Sequence, residues 1–145
     1  MRVTGWSLVR FAHVLAAMGW VGGQLLLSVV VLPVLRKSLG SEARGPLVRA
    51  AATRFALVAN AVLLPTLIAS GIALAWHRGV RFETLGEQGY GRLLSIKLGL
   101  VVVSIALAAV HGALATRRPS SARPLGVLGL ATAVGIVVFA TALVP

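Results

Sequence analysis

Hydrophobic positions in this chain gather into four long blocks, about Trp6–Leu35, Phe55–Trp76, Leu93–Thr116 and Leu125–Val144. Each reaches or exceeds the ~20 residues that a helix needs to cross a bilayer. Polar stretches separate them: "RKSLGSEARGPLVRAAATR", "HRGVRFETLGEQGYGR" and "RRPSSARP". Pro33 lies near the end of the first block. Pro65 lies inside the second, where its missing N–H predicts a kink. The third block can begin as early as Tyr90. Four such blocks with short connections predict an all-α integral membrane protein: a four-helix transmembrane up-and-down bundle forming a single membrane domain over residues 1–145. No internal repeat is evident.

The polar residues inside the blocks are not scattered. Taken at alternating spacings of four and three, Trp6, Arg10, His13, Ala17, Trp20 and Gln24 share one face of the first helix. The opposite face is leucine, valine and alanine, so the stripe is expected to face inward. In the third block Lys97, Ser104 and His111 recur every seven residues, again on one face. The second block is milder, with Asn60, Thr66, Ser70 and Gly71, and the fourth has no ionisable group. Its Gly126, Gly129, Thr132 and Gly135 suit close helix contact. At ~1.5 Å per residue, His13 and Lys97 are expected at similar depths, with Arg10 one turn nearer the surface. His77 closes the second block at that same side, whereas His111 is expected near the opposite end, close in depth to Asn60.

Composition narrows the class. Of 145 residues, 58% are hydrophobic and 12% charged, and mean hydropathy is +0.95. Water-soluble domains carry about twice that share of charge. The net charge of +11 invites a nucleic-acid reading, but the basic residues lie mainly between the apolar blocks, where membrane topology places them, so no nucleic-acid partner is expected. Arg36, Lys37, Arg44, Arg49, Arg54, Arg117, Arg118 and Arg123 fall on one side, against Arg2, Arg78, Arg81 and Arg92 on the other. That bias predicts cytoplasmic loops at 36–54 and 117–124, with both termini outside. The first apolar run continues to Leu35, too far for a cleaved signal peptide. There is no cysteine, which excludes disulfides, iron–sulfur clusters and thiolate metal sites. Glu42, Glu83 and Glu87 all lie in the polar stretches, so a carboxylate pair or an intramembrane carboxylate relay is unsupported.

Two stretches carry a family likeness: "HVLAAMGWVGG", and "GYGRLLSIKLGLVVVSIALAAVHG" with its "YGRLLSIK" opening. Together with "RFALVANAVLLPTLIASGIALAW" they cover most of residues 10 to 112, and the chain resembles the copper-resistance D family of bacterial inner-membrane proteins. More distantly, the helix-one histidine with a helix-three lysine is similar to the HemJ-type membrane protoporphyrinogen oxidases. That second resemblance implies His13 as axial ligand of a b-type haem and Lys97 as a partner of the porphyrin or substrate.

Three functions stay open at this point. In the first, the chain binds haem b in the outer half of the bundle for electron transfer or porphyrin handling, as a haem-dependent membrane oxidoreductase if it is an enzyme. His13 would then ligate iron, with Lys97, Arg10 and Trp20 lining the cofactor; one histidine, an apolar slot and cations for the propionates would suffice. In the second, implied by the copper-resistance likeness, the chain transports or regulates copper. Soft ligands for copper(I) are scarce, since the only sulfurs are Met1 and Met18. His13 leads as the metal ligand, ahead of His111 and His77. In the third, the chain is a non-catalytic accessory subunit. Expected partners are the lipid bilayer, a second copy in a homodimer, or a larger membrane complex.

Overall fold

A computed structural model describes residues 4–86, 88–117 and 119–142, and the described residues contain helices and turns with no strand. Met1, Arg2, Glu87, Arg118 and Val144, all part of the expectations above, lie outside the described residues. Four helices are long and apolar enough to cross a membrane: Gly5–Ser38, Ser41–His77, Tyr90–Leu114 and Pro124–Ala142. The chain is therefore an all-α membrane protein with four spans. By its contacts it divides into two compact units, Met1–Gly79 and Val80–Pro145.

In the first unit, Thr4 starts the first span. Its side chain accepts a hydrogen bond from the Ser7 backbone, while Ser7 Oγ accepts one from the Thr4 N–H. Two of the four unpaired N–H groups at the helix start are thereby satisfied. The helix is α over Gly5–Leu25, widens to a π-helix over Leu26–Val31, and returns to α over Leu32–Ser38. The second span repeats this design, with α-helix at Ser41–Val58, π-helix at Ala59–Leu63 and α-helix at Leu64–His77. Each π segment ends two residues before a proline, Pro33 or Pro65. A helical proline has no N–H for the carbonyl four residues back and its ring crowds that carbonyl. Widening to five-residue spacing accommodates both faults without ending the helix. At Pro65, where a kink is expected, a π segment over Ala59–Leu63 precedes the proline.

The polar stretch after the first span is mostly helix. Only Leu39 and Gly40 turn the chain, with extended backbone angles, and the second helix begins at Ser41. Alanine and arginine are strong helix formers, and the run from Arg49 to Arg54 consists of them apart from Thr53. At ~1.5 Å per residue the Ser41–His77 helix far exceeds a bilayer core of about 30 Å. Its apolar part remains the expected Phe55–Trp76, and the basic part extends beyond it.

The two helices run antiparallel in layers. Trp6 stacks on His77, His13 meets Ser70, Gly19 faces Leu63, and Gly23 faces the Phe55 ring. The first two layers are seven residues apart on both helices, as expected for a shared helical seam. A Cβ at position 23 would overlap the Phe55 ring, so glycine lets the two helices keep this contact. On the first helix the buried residues are Ala16, Trp20 and Val21, while Arg10 and Trp6 are exposed. The expected stripe therefore follows the seam from buried Trp20 through His13 to Trp6 at its exposed edge, with Arg10 outside it. A straight helix drifts ~20° per seven residues, so Trp6 and Trp20 differ by ~40° and meet the seam at different exposures.

The second unit pairs the helix Tyr90–Arg117 with the helix Pro119–Ala142, and a short 3₁₀ turn, Phe82–Gly86, precedes them. Ser95 Oγ lies 2.6 Å from the Leu85 carbonyl and 3.0 Å from the Gly91 carbonyl, which ties the turn to the helix. Pro119 opens the last helix, where its missing N–H costs no hydrogen bond. Much of the expected loop "RRPSSARP" is therefore helical. The pair is antiparallel: His111 packs on Gly126, and Leu100 on Gly135. Ala133 is wholly buried and Ser104 nearly so.

Candidate functional site

The first unit holds one polar cluster inside its apolar seam. His13, half-buried, shares a hydrogen bond of 2.8 Å between its Nδ1 and Ser70 Oγ. Ser70 is 8% exposed. Its hydroxyl donates to the Thr66 carbonyl one turn back, and the Leu67 carbonyl lies 3.4 Å away. Helical serines commonly make this backward bond. Here it leaves the oxygen aimed across the seam at the histidine. Gly71 flanks the imidazole: Cε1 lies 3.4 Å from the point where a Cβ on that residue would stand, an ordinary contact distance. The dipeptide Ser70-Gly71 thus supplies a hydroxyl beside the ring and space in front of it. In the sequence both lie on the second helix with nothing adjacent that joins them to His13. The available signal was their spacing: His77 and Ser70 are seven apart, as are Trp6 and His13 on the facing helix.

Seven residues toward the end of the pair, the Trp6 and His77 rings stack at 3.9 Å between centroids with 13° between planes. His77, expected to close the second block ahead of the polar stretch, is the last residue of its helix. At ~1.5 Å per residue the stack lies about 10 Å from the His13 layer. Trp20, two layers further in, is buried, whereas Arg10 is exposed and Met18, 66% exposed, is on the outer surface. The thioether of Met18 accordingly does not join the His13 cluster. Asn60 turns back on its own helix, its Nδ2 donating to the Ala56 carbonyl at 2.7 Å.

The other expected ligands belong to the second unit. Lys97 and His111 are half-buried on the same helix as buried Ser104. The His111 ring covers Gly126, with Cε1 3.2 Å from the position of a Cβ there. Among the described residues no three of His, Cys, Asp or Glu come together in a form that could hold a metal ion.

Comparison with known families matches residues 49–144 to the family described as Copper resistance protein D. The matched segment is more than half of the chain and takes in Thr66, Ser70, Gly71, His77, Lys97 and His111, while His13 precedes it. The comparison adds nothing to the likeness to the HemJ-type oxidases. No curated protein and no solved structure matches the chain. The four apolar spans and this match agree, and the chain belongs to the copper-resistance protein D family.

Proposed function

We propose that this protein carries copper within or across the bacterial inner membrane as part of copper homeostasis, and that His13 is a ligand for the ion in passage. The observation that carries the reading is the family match over residues 49–144. The donor set supports it in kind. With no thiolate in the chain and Met18 on the outer surface, copper meets imidazole, which is a serviceable copper ligand. Conduction requires sites that are favourable enough to enter and weak enough to leave. A single imidazole in an apolar seam meets that requirement better than it would meet the demands of storage.

Haem b would use the same histidine, but the family match speaks for copper. The orientation follows from the loop charges: the Arg36–Arg54 side faces the cytoplasm, and the Trp6–His77 end faces outward.

The test is uptake of copper(I) by proteoliposomes containing the purified chain. Accumulation above that of empty vesicles, reduced by His13→Ala more than the roughly tenfold that loss of a partner outside the ligand set costs, is the expected result. Uptake equal to that of empty vesicles overturns the reading. A Soret band in the purified protein that vanishes with His13→Ala turns it to haem.

A further inference from the structure

We infer that Ser70 is a positioning residue that fixes His13 with its ring proton on Nδ1, so that the neutral imidazole offers its electron pair from Nε2.

A serine hydroxyl has one proton to donate and lone pairs to accept with, and a carbonyl oxygen has no proton at all. Ser70 Oγ is in hydrogen-bond contact with the Thr66 carbonyl. Without a proton between them, two lone-pair-bearing oxygens would face each other in a buried site. The hydroxyl proton is therefore committed to Thr66. Ser70 Oγ also lies 2.8 Å from His13 Nδ1, and toward that atom it has only a lone pair left. A hydrogen bond needs a proton, so Nδ1 supplies it. The chain of donors runs from His13 Nδ1–H to Ser70 Oγ–H to the Thr66 carbonyl.

Which nitrogen of a histidine carries the electron pair is set by the hydrogen bond that the other makes. Here that bond is built from the backbone of the second span. The Thr66 carbonyl is fixed by the helix, it orients the Ser70 hydroxyl, and the hydroxyl orients the ring. Gly71 flanks the ring, with Cε1 3.4 Å from the point where a Cβ on that residue would stand. Whatever Nε2 of the neutral ring meets, it meets as an electron-pair donor. A copper ion bound there displaces no ring proton, and the Nδ1–H bond raises the basicity of the ligating nitrogen. The role in copper binding rests on the function proposed above; the tautomer does not.

Selective nitrogen-15 labelling of histidine separates the two. The His13 resonances are those lost in His13→Gln, against His77 and His111. At a pH where the imidazole is neutral, a protonated Nδ1 and an unprotonated Nε2 are expected in the wild-type chain, and the reverse pattern overturns the inference. Ser70→Ala is expected to mix the tautomers and to lower copper uptake about tenfold, the lower end of the range for a partner outside the ligand set. Ser70→Thr, which keeps the hydroxyl, is expected to restore both. An unchanged tautomer in Ser70→Ala removes Ser70 from the role. Mixed tautomers with undiminished uptake leave the hydrogen-bond chain standing and overturn His13 as the copper ligand.

Discussion

His13 and Ser70 face each other across an antiparallel helix pair, joined by a 2.8 Å hydrogen bond, and Gly71 leaves the space in which the imidazole lies. The space makes a separable prediction. A Cβ at residue 71 would stand in ordinary contact with the ring, 3.4 Å from Cε1. Alanine has the better intrinsic helix propensity by about 1 kcal/mol. Gly71→Ala is expected to unfold in detergent at or above the wild-type temperature and to keep copper uptake. Gly71→Leu, whose side chain must enter the volume of the ring, is expected to lose uptake while the protein remains helical by circular dichroism.

Gly23 and Phe55 make a stricter pair. A Cβ on Gly23 would overlap the phenyl ring, so Gly23→Ala forces the ring out of its place. Overpacking of this kind costs about 1–3 kcal/mol. The penalty is specific to the pair: in Phe55→Ala the same glycine substitution is expected to be nearly silent. Thermal unfolding of the four proteins in a double-mutant cycle measures it. An equal loss in both backgrounds would place the strain elsewhere.

Trp6 and His77 stack at the end of the same seam. Aromatic pairs contribute about 0.5–1.5 kcal/mol beyond the area they bury. A coupling energy within that range is expected from Trp6→Ala and His77→Ala singly and together, measured by unfolding in detergent. Both residues are exposed, so neither substitution opens a cavity in the core. Helical content and the His13–Ser70 bond should survive them.

The parts legible in the sequence were those governed by long-range hydropathy. Four spans, their order and the apolar core of the second all follow from runs of leucine, valine and alanine. The parts not legible depend on local hydrogen bonding. Thr4 and Ser7 form a capping pair that is only a short polar patch in the string, and the π segments before Pro33 and Pro65 look like uninterrupted apolar helix. The basic stretch after Ser38 looked like a loop because charge is a poor guide to backbone conformation outside the bilayer. At the candidate site, His13 stood out because an ionisable group in hydrocarbon is costly. Ser70 did not, because a serine that bonds its own helix is unremarkable in a span. Only the facing helix shows that its oxygen has a second use.

The direction in which the chain crosses the membrane can be tested with little disturbance, because the sequence contains no cysteine and each engineered thiol is therefore unique. Ser38 ends the first span, just before the Leu39–Gly40 turn, and is exposed. Glu83 is exposed on the 3₁₀ turn that follows the second span. Arginine and lysine collect on the Ser38 side, and loops with that excess remain in the cytoplasm. In intact bacterial cells, with the outer membrane permeabilised, Glu83→Cys is expected to react with a membrane-impermeant maleimide. Ser38→Cys is expected to react only after the inner membrane is broken. The opposite pattern would invert the expected topology and place the Trp6–His77 end of the helix pair on the cytoplasmic side.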